Sequence, residues 1–91
     1  MNPGARTAIS FNVDYCLGVS AFVYAQIYGN VRDSMGVEIL VNGGREVISK
    51  ADTEGWISYE SASTIVSSTD CFRIRTVTAT GTQNVAWFRT L

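Results

Sequence analysis

The sequence predicts an all-β domain: a small antiparallel sandwich of two sheets and about seven strands. Three observations carry this. Between Tyr28 and Tyr59, turn residues punctuate short apolar runs at near-regular spacing. Ala8 to Tyr15 alternates apolar and polar residues with a period of two. In Val19 to Tyr28, where Ala21 and Ala25 would also tolerate a helix, Val, Ile, Phe and Tyr dominate and no helix cap precedes the run, which favours a strand.

Taken in order, Ile9, Phe11, Val13 and Tyr15 form one face of the first expected strand, opposed by Ala8, Ser10, Asn12 and Asp14. Leu17-Gly18 turns the chain. Val19 to Tyr28 is apolar on both faces, as a central strand is. Gly29-Asn30 and Asp33-Ser34-Met35-Gly36 mark a connection. Val37, Ile39 and Val41 then alternate with Glu38 and Leu40. Asn42-Gly43 supplies the positive φ angles that a tight hairpin demands. A short strand over Arg45 to Lys50 follows, then a turn at Asp52-Thr53-Glu54-Gly55 and a strand from Trp56 to Tyr59. Ser61 to Thr69 is rich in hydroxyl groups, and Ile65-Val66 either extends a strand or plugs a loop. Phe72 to Thr80, a turn at 81–84, and Val85 to Arg89 complete the pattern. Two sheets are expected, because one open sheet of this composition would leave an apolar face in water. The core is expected to hold Phe11, Val13, Val23, Ile27, Ile39, Val41, Ile57, Phe72, Ile74 and Trp87.

Ninety-one residues make one domain, 1–91, with residues 1–6 as a flexible N-terminal arm. Hydrophobic residues at 46% and charged ones at 16% exclude a disordered chain. Seven basic and eight acidic side chains leave a net charge of −1, without the basic surplus of a nucleic-acid binder. No apolar run approaches the ~18 residues of a transmembrane helix. The start from Met1 to Thr7 lacks the apolar centre of a signal peptide, and no Asn-x-Ser/Thr acceptor is present.

Several of these pieces resemble one family. Gly29-Asn30-Val31, Gly36 to Val41, and Lys50-Ala51-Asp52-Thr53-Glu54-Gly55-Trp56-Ile57-Ser58 are similar to the loop, strand and Asp-x-x-Gly turn of bacterial immunoglobulin-like domains of the invasin and intimin type. Phe72 to Ala79 and Val85 to Phe88 resemble the family's penultimate and closing strands, so the likeness covers about residues 28 to 90. It implies an immunoglobulin-like fold and a structural or adhesive role without catalysis. Similar domains occur on tailed-phage capsids and tails.

The side-chain chemistry agrees with that expectation. With no histidine, Ser-His and Cys-His nucleophilic systems and the commonest zinc ligand are missing. Two cysteines cannot close a four-ligand zinc site. Ser49 and Lys50 are adjacent on a strand and point to opposite faces. Asn42-Gly43-Gly44 leads into a strand rather than a helix, so it makes no phosphate loop. The chain is therefore not expected to be an enzyme or to carry a cofactor. Asp33, Glu38, Asp52 and Glu54 cluster in neighbouring turns and connections. They offer either a calcium site, if the loops converge, or solvated turns that bond their own backbone.

Cys16 ends the first strand and Cys71 begins a later one, both off the core parity and at the same pole of the sandwich. A bridge between them would close a loop of about 55 residues and stabilise the fold by about 4 kcal/mol. The alternative is a reduced pair in a cytoplasmic protein. Trp56 and Trp87 are either core filling or anchors for a partner.

The expected function is a structural or attachment module docked onto a larger assembly. A phage virion surface suits a chain with a Met start, no signal peptide and a fold usually met outside the cell. The alternatives are one repeat of a bacterial surface adhesin, or a small-ligand or calcium-binding domain. Partners would be proteins of the assembly, with a cell-surface or carbohydrate receptor as a further candidate. The first strand and the last, Val85 to Phe88, carry almost no charge. Left as sheet edges, they would favour a homo-oligomer or strand addition to a partner.

Overall fold

A computed structural model describes residues 5–30, 34–52, 57–78 and 83–91. Eight strands follow one another: β1 (Thr7–Ala8), β2 (Asp14–Cys16), β3 (Ala21–Asn30), β4 (Ser34–Val41), β5 (Gly44–Asp52), β6 (Ile57–Val66), β7 (Cys71–Thr78) and β8 (Gln83–Thr90). They form two four-stranded antiparallel sheets, ordered β1-β8-β3-β6 and β2-β7-β4-β5. The expected all-β, antiparallel two-sheet sandwich is the architecture of the chain, with eight strands where about seven were expected.

Its winding follows a simple rule. β4 pairs with β5, β3 with β6, β2 with β7 and β1 with β8, all antiparallel. These nested pairs are the rungs of one long hairpin. Its tip is the turn at Asn42 (φ 53°) and Gly43 (φ 86°), both in the left-handed region. Rolled up, the hairpin brings its arms against each other, which adds the β3–β8 and β4–β7 pairings and closes both sheets. An eight-stranded sandwich wound this way is a jelly roll. In it the last strand pairs with the first and third, and not with the seventh as in the immunoglobulin order.

The buried face of the first sheet is built from small residues: Ala21, Val23, Ala25 and Ile27 on β3, Ala62 and Val66 on β6, Ala86 and Phe88 on β8. The second sheet answers with Val37, Ile39, Phe72 and Ile74, so bulk on one side meets alanine on the other. Tyr15 stacks on Phe72 with ring centroids 5.6 Å apart and accepts a hydrogen bond from the Ser10 backbone at 2.7 Å.

Several expectations are corrected. The strand expected over Ala8 to Tyr15 is broken by a turn at Phe11-Asn12, where Asn12 has φ 64°. The chain there crosses from one sheet to the other, anchored by Ile9 N–H to Ala86 O (3.0 Å) and Asn12 N–H to Ile74 O (2.7 Å). Ile9, Phe11 and Tyr15 still pack on the core, but Val13 is left 43% exposed. Val41 is half-buried against the core. Trp87 lies outside it, because Ala86 and Phe88 take the inward parity of β8. The final strand is no edge, lying between β1 and β3. Ile65-Val66 ends a strand rather than plugging a loop. The expected core residue Ile57 begins β6, but its side chain is outside the described set, as is Trp56.

Candidate functional site

The outer face of the first sheet carries five of the chain's ten aromatic side chains. Along β3, inward Ala21, Val23, Ala25 and Ile27 leave Phe22, Tyr24 and Tyr28 on the outward parity. Register sets Tyr24 opposite Trp87 of β8 and Tyr28 opposite Tyr59 of β6. Both pairs stack, each with centroids 5.1 Å apart and interplanar angles of 23° and 16°. Phe22 adds a tilted contact to Trp87 at 5.7 Å. Two cations cover this row. Arg6 lies 4.4 Å above the Trp87 ring, so the end of the N-terminal arm touches the sheet, and Arg89 lies 5.2 Å above Phe22.

Around the stacked rings the face remains open. Tyr59 is 62% exposed, Ile65 63% and Val85 49%. The sheet therefore turns Ala21, Ala25, Ala62 and Ala86 inward and, Phe88 apart, its aromatic rings outward. A sandwich concerned only with its own stability would do the reverse, since each buried aromatic contributes a large apolar area. Rigid aromatic side chains with few rotamers to lose are what a binding surface uses.

The outer face of the second sheet is ionic. Glu38 on β4 is 1% exposed, held between Arg45 of β5 and Arg75 of β7, each of which donates from Nε to one carboxylate oxygen. Burial alone would push this carboxyl up. The hydrogen bonds from Arg75 and Arg45 and their charges outweigh it, and the group is held below its ordinary value of 4.5. Asp14 on β2 pairs with Arg73 on β7 at 2.9 Å. Of the acidic residues weighed for calcium, Glu38 is thus taken by two guanidinium groups. Asp33 and Glu54 lie outside the described residues, and nothing of the Asp52 side chain is described. Ser49 donates to Glu60 at 2.7 Å.

Cys16 and Cys71 face each other across β2 and β7 with Cα atoms 4.3 Å apart, and their sulfur atoms are bonded. This spacing is that of a non-hydrogen-bonded antiparallel pair, the site where side chains approach most closely. The sequence left a bridge and a reduced pair as alternatives; the nested β2–β7 pairing makes the two residues neighbours. Next to the bridge, Asn42 ties the central hairpin to the turn before β7. Its backbone N–H donates to Cys71 O (2.8 Å), its side-chain oxygen accepts from Cys71 N–H (3.0 Å), and its amide donates to Asp70 (2.9 Å). The Ser67 backbone N–H and the Asn42 amide hold the Asp70 carboxyl below its usual range.

Nothing in the sequence singled out the Glu38–Arg45–Arg75 cluster, whose members come from three strands. The aromatic face was legible only as composition. No helix is long and apolar enough to cross a membrane among the described residues. Compared with protein-family models the chain matches none, and no curated protein matches it.

Proposed function

We propose that the chain is a non-catalytic structural and attachment module that docks onto a larger protein assembly through the outer face of its first sheet. The observation that carries this is the outward placement of Phe22, Tyr24, Tyr28 and Trp87 together with exposed Tyr59, Ile65 and Val85, over a buried face made largely of alanine and valine. An outward face rich in aromatic rings, with polar Gln26 and Ser61 between its stacked pairs, suits an interaction surface. With β8 internal, the edges of this sheet are β1, which overlaps the expected first strand, and β6; β6 is the longer, with ten residues, no Pro or Lys, and Glu60 as its one charge. A homo-oligomer through that edge is compatible with the same docked face.

The assembly we favour is a phage virion, with the module on the capsid or tail surface. Jelly-roll sandwiches are frequent in viral capsids, and a Cys16–Cys71 bridge suits a protein that works in an oxidising medium. The resemblance of residues 28 to 90 to invasin- and intimin-type domains supports the same kind of job on a bacterial surface.

The test is incorporation. Large particles are isolated from the native host on a density gradient, with the chain either wild type or carrying Val85→Asp. Wild type should co-sediment with the particle, and the variant, with an unchanged melting temperature, should stay with free protein. Incorporation of Val85→Asp at the wild-type level would defeat the proposed docking face.

A further inference from the structure

We infer that the outer face of the second sheet holds a binding site for an acidic sugar unit, its carboxylate taken by Arg73 and Arg75. A groove of about 390 Å³ opens there, lined among others by Asp14, Leu40, Asn42, Cys71, Arg73 and Arg75. That volume falls in the range of small-molecule sites and exceeds what one carboxylate fills. Leu40 and the Cys71 end of the disulfide give it an apolar wall against which the C–H face of a pyranose ring can lie.

The charges select the ligand. Of the charged residues that line the groove, Arg73 and Arg75 stand against Asp14, with Glu38 behind Arg75 and Asp70 behind Asn42. Arg73 and Arg75 each meet their carboxylate through Nε. One such contact cannot use up the five N–H donors of a guanidinium. Both groups stay about half-exposed at the groove, where a planar carboxylate can bridge them. Asp14 accepts from Arg73 through Oδ1 and is largely exposed, which presents Oδ2 as an acceptor beside the two cations. A ligand carrying both a carboxylate and hydroxyl donors satisfies this arrangement. An acidic peptide would meet Asp14 with backbone N–H groups, whereas a sugar acid presents hydroxyl donors beside its carboxylate and an apolar ring face to Leu40. The site lies on the sheet opposite the aromatic face and does not rest on the docking role proposed for that face.

The test is a nitrogen–proton correlation NMR titration of the full chain with methyl glucuronide, methyl glucoside, sulfate and N-acetylglutamate methylamide. The glucuronide should shift the amides of Leu40, Asn42, Cys71 and Arg73, while the neutral glucoside leaves them in place. Arg73→Gln, which loses only the exposed pair with Asp14, should weaken glucuronide binding by roughly tenfold or more at unchanged melting temperature. Arg75→Gln should do the same; should it unfold through its partner Glu38, Arg73→Gln alone decides. Equal shifts with the glucoside would overturn the carboxylate recognition. Equal affinity for sulfate or for the glutamate derivative would overturn the sugar, leaving a general anion patch or an acidic-peptide site. Unaltered affinity in Arg73→Gln would overturn the site itself.

Discussion

Tyr24 and Trp87 sit directly opposite each other on neighbouring strands and stack with ring centroids 5.1 Å apart, on the solvent side of the sheet. Their sequence neighbours, Val23, Ala25, Ala86 and Phe88, point the other way and fill the core. The two faces of one sheet thus have separate tasks. The inner face holds the sandwich together, and the outer one stacks its rings on the solvent side, the surface we propose as the docking face.

This division has a consequence for stability. Phe88→Ala removes a buried ring and should cost about 3–5 kcal/mol. Trp87→Ala removes a larger ring from the outer face and should cost about 1–2 kcal/mol, mostly its contacts to Tyr24 and Phe22. Urea unfolding followed by circular dichroism measures both. A Trp87→Ala loss equal to that of Phe88→Ala would place Trp87 in the core after all.

The disulfide closes a 55-residue separation between β2 and β7. Replacing both cysteines by serine should lower stability by about 4 kcal/mol, in the chain-entropy account. Reductant should do the same to the wild type and nothing to the double variant. Denaturation curves with and without dithiothreitol check this.

Glu38 ties stability to acid pH. Its folded carboxyl lies below the ordinary value of 4.5, so the ionised form is the one that folding favours. The contribution is fully present above about pH 4.5 and is lost as pH falls through the depressed folded value. Asp70 acts in the same direction from its ordinary value of 3.8. Glu38→Gln should cost about 2 kcal/mol at neutral pH, since the arginines left behind can turn to solvent. It should also flatten the acid limb of a plot of melting temperature against pH. An unchanged limb would remove Glu38 from the account.

Asn42 has two jobs that substitution can separate. Its φ of 53° suits the hairpin, and its side chain bonds Asp70 and the Cys71 backbone. Asn42→Gly keeps the backbone and loses the side-chain bonds, for about 1 kcal/mol. Asn42→Ala loses both and should cost about 1 kcal/mol more. Thermal unfolding that ranks the two variants equally would assign the residue a single role.

Much of this was legible in the sequence because local patterns carried it. The alternation of β7 needs only period-two reasoning, and the Asn42-Gly43 hairpin only turn chemistry. Three features were hidden for physical reasons. Ile9, Phe11, Val13 and Tyr15 keep a clean alternation although the chain changes sheets at Asn12, and only Val13 records the crossing by its exposure. Val85-Ala86-Trp87-Phe88 is apolar on both parities, so alternation could not say which face is inward. The rolled hairpin depends on pairings as distant as Thr7 with Phe88, and no local pattern reports them.

The most direct measurement of the docking claim is covalent footprinting of the tyrosine and tryptophan side chains, free and within the assembly. Hydroxyl-radical oxidation of Tyr59 and Trp87, read by mass spectrometry, should fall several-fold on assembly. Tyr15, half-buried on the inner side of the second sheet, should react equally in both states. Equal oxidation of Tyr59 and Trp87 in the free and assembled protein would contradict docking through the aromatic face.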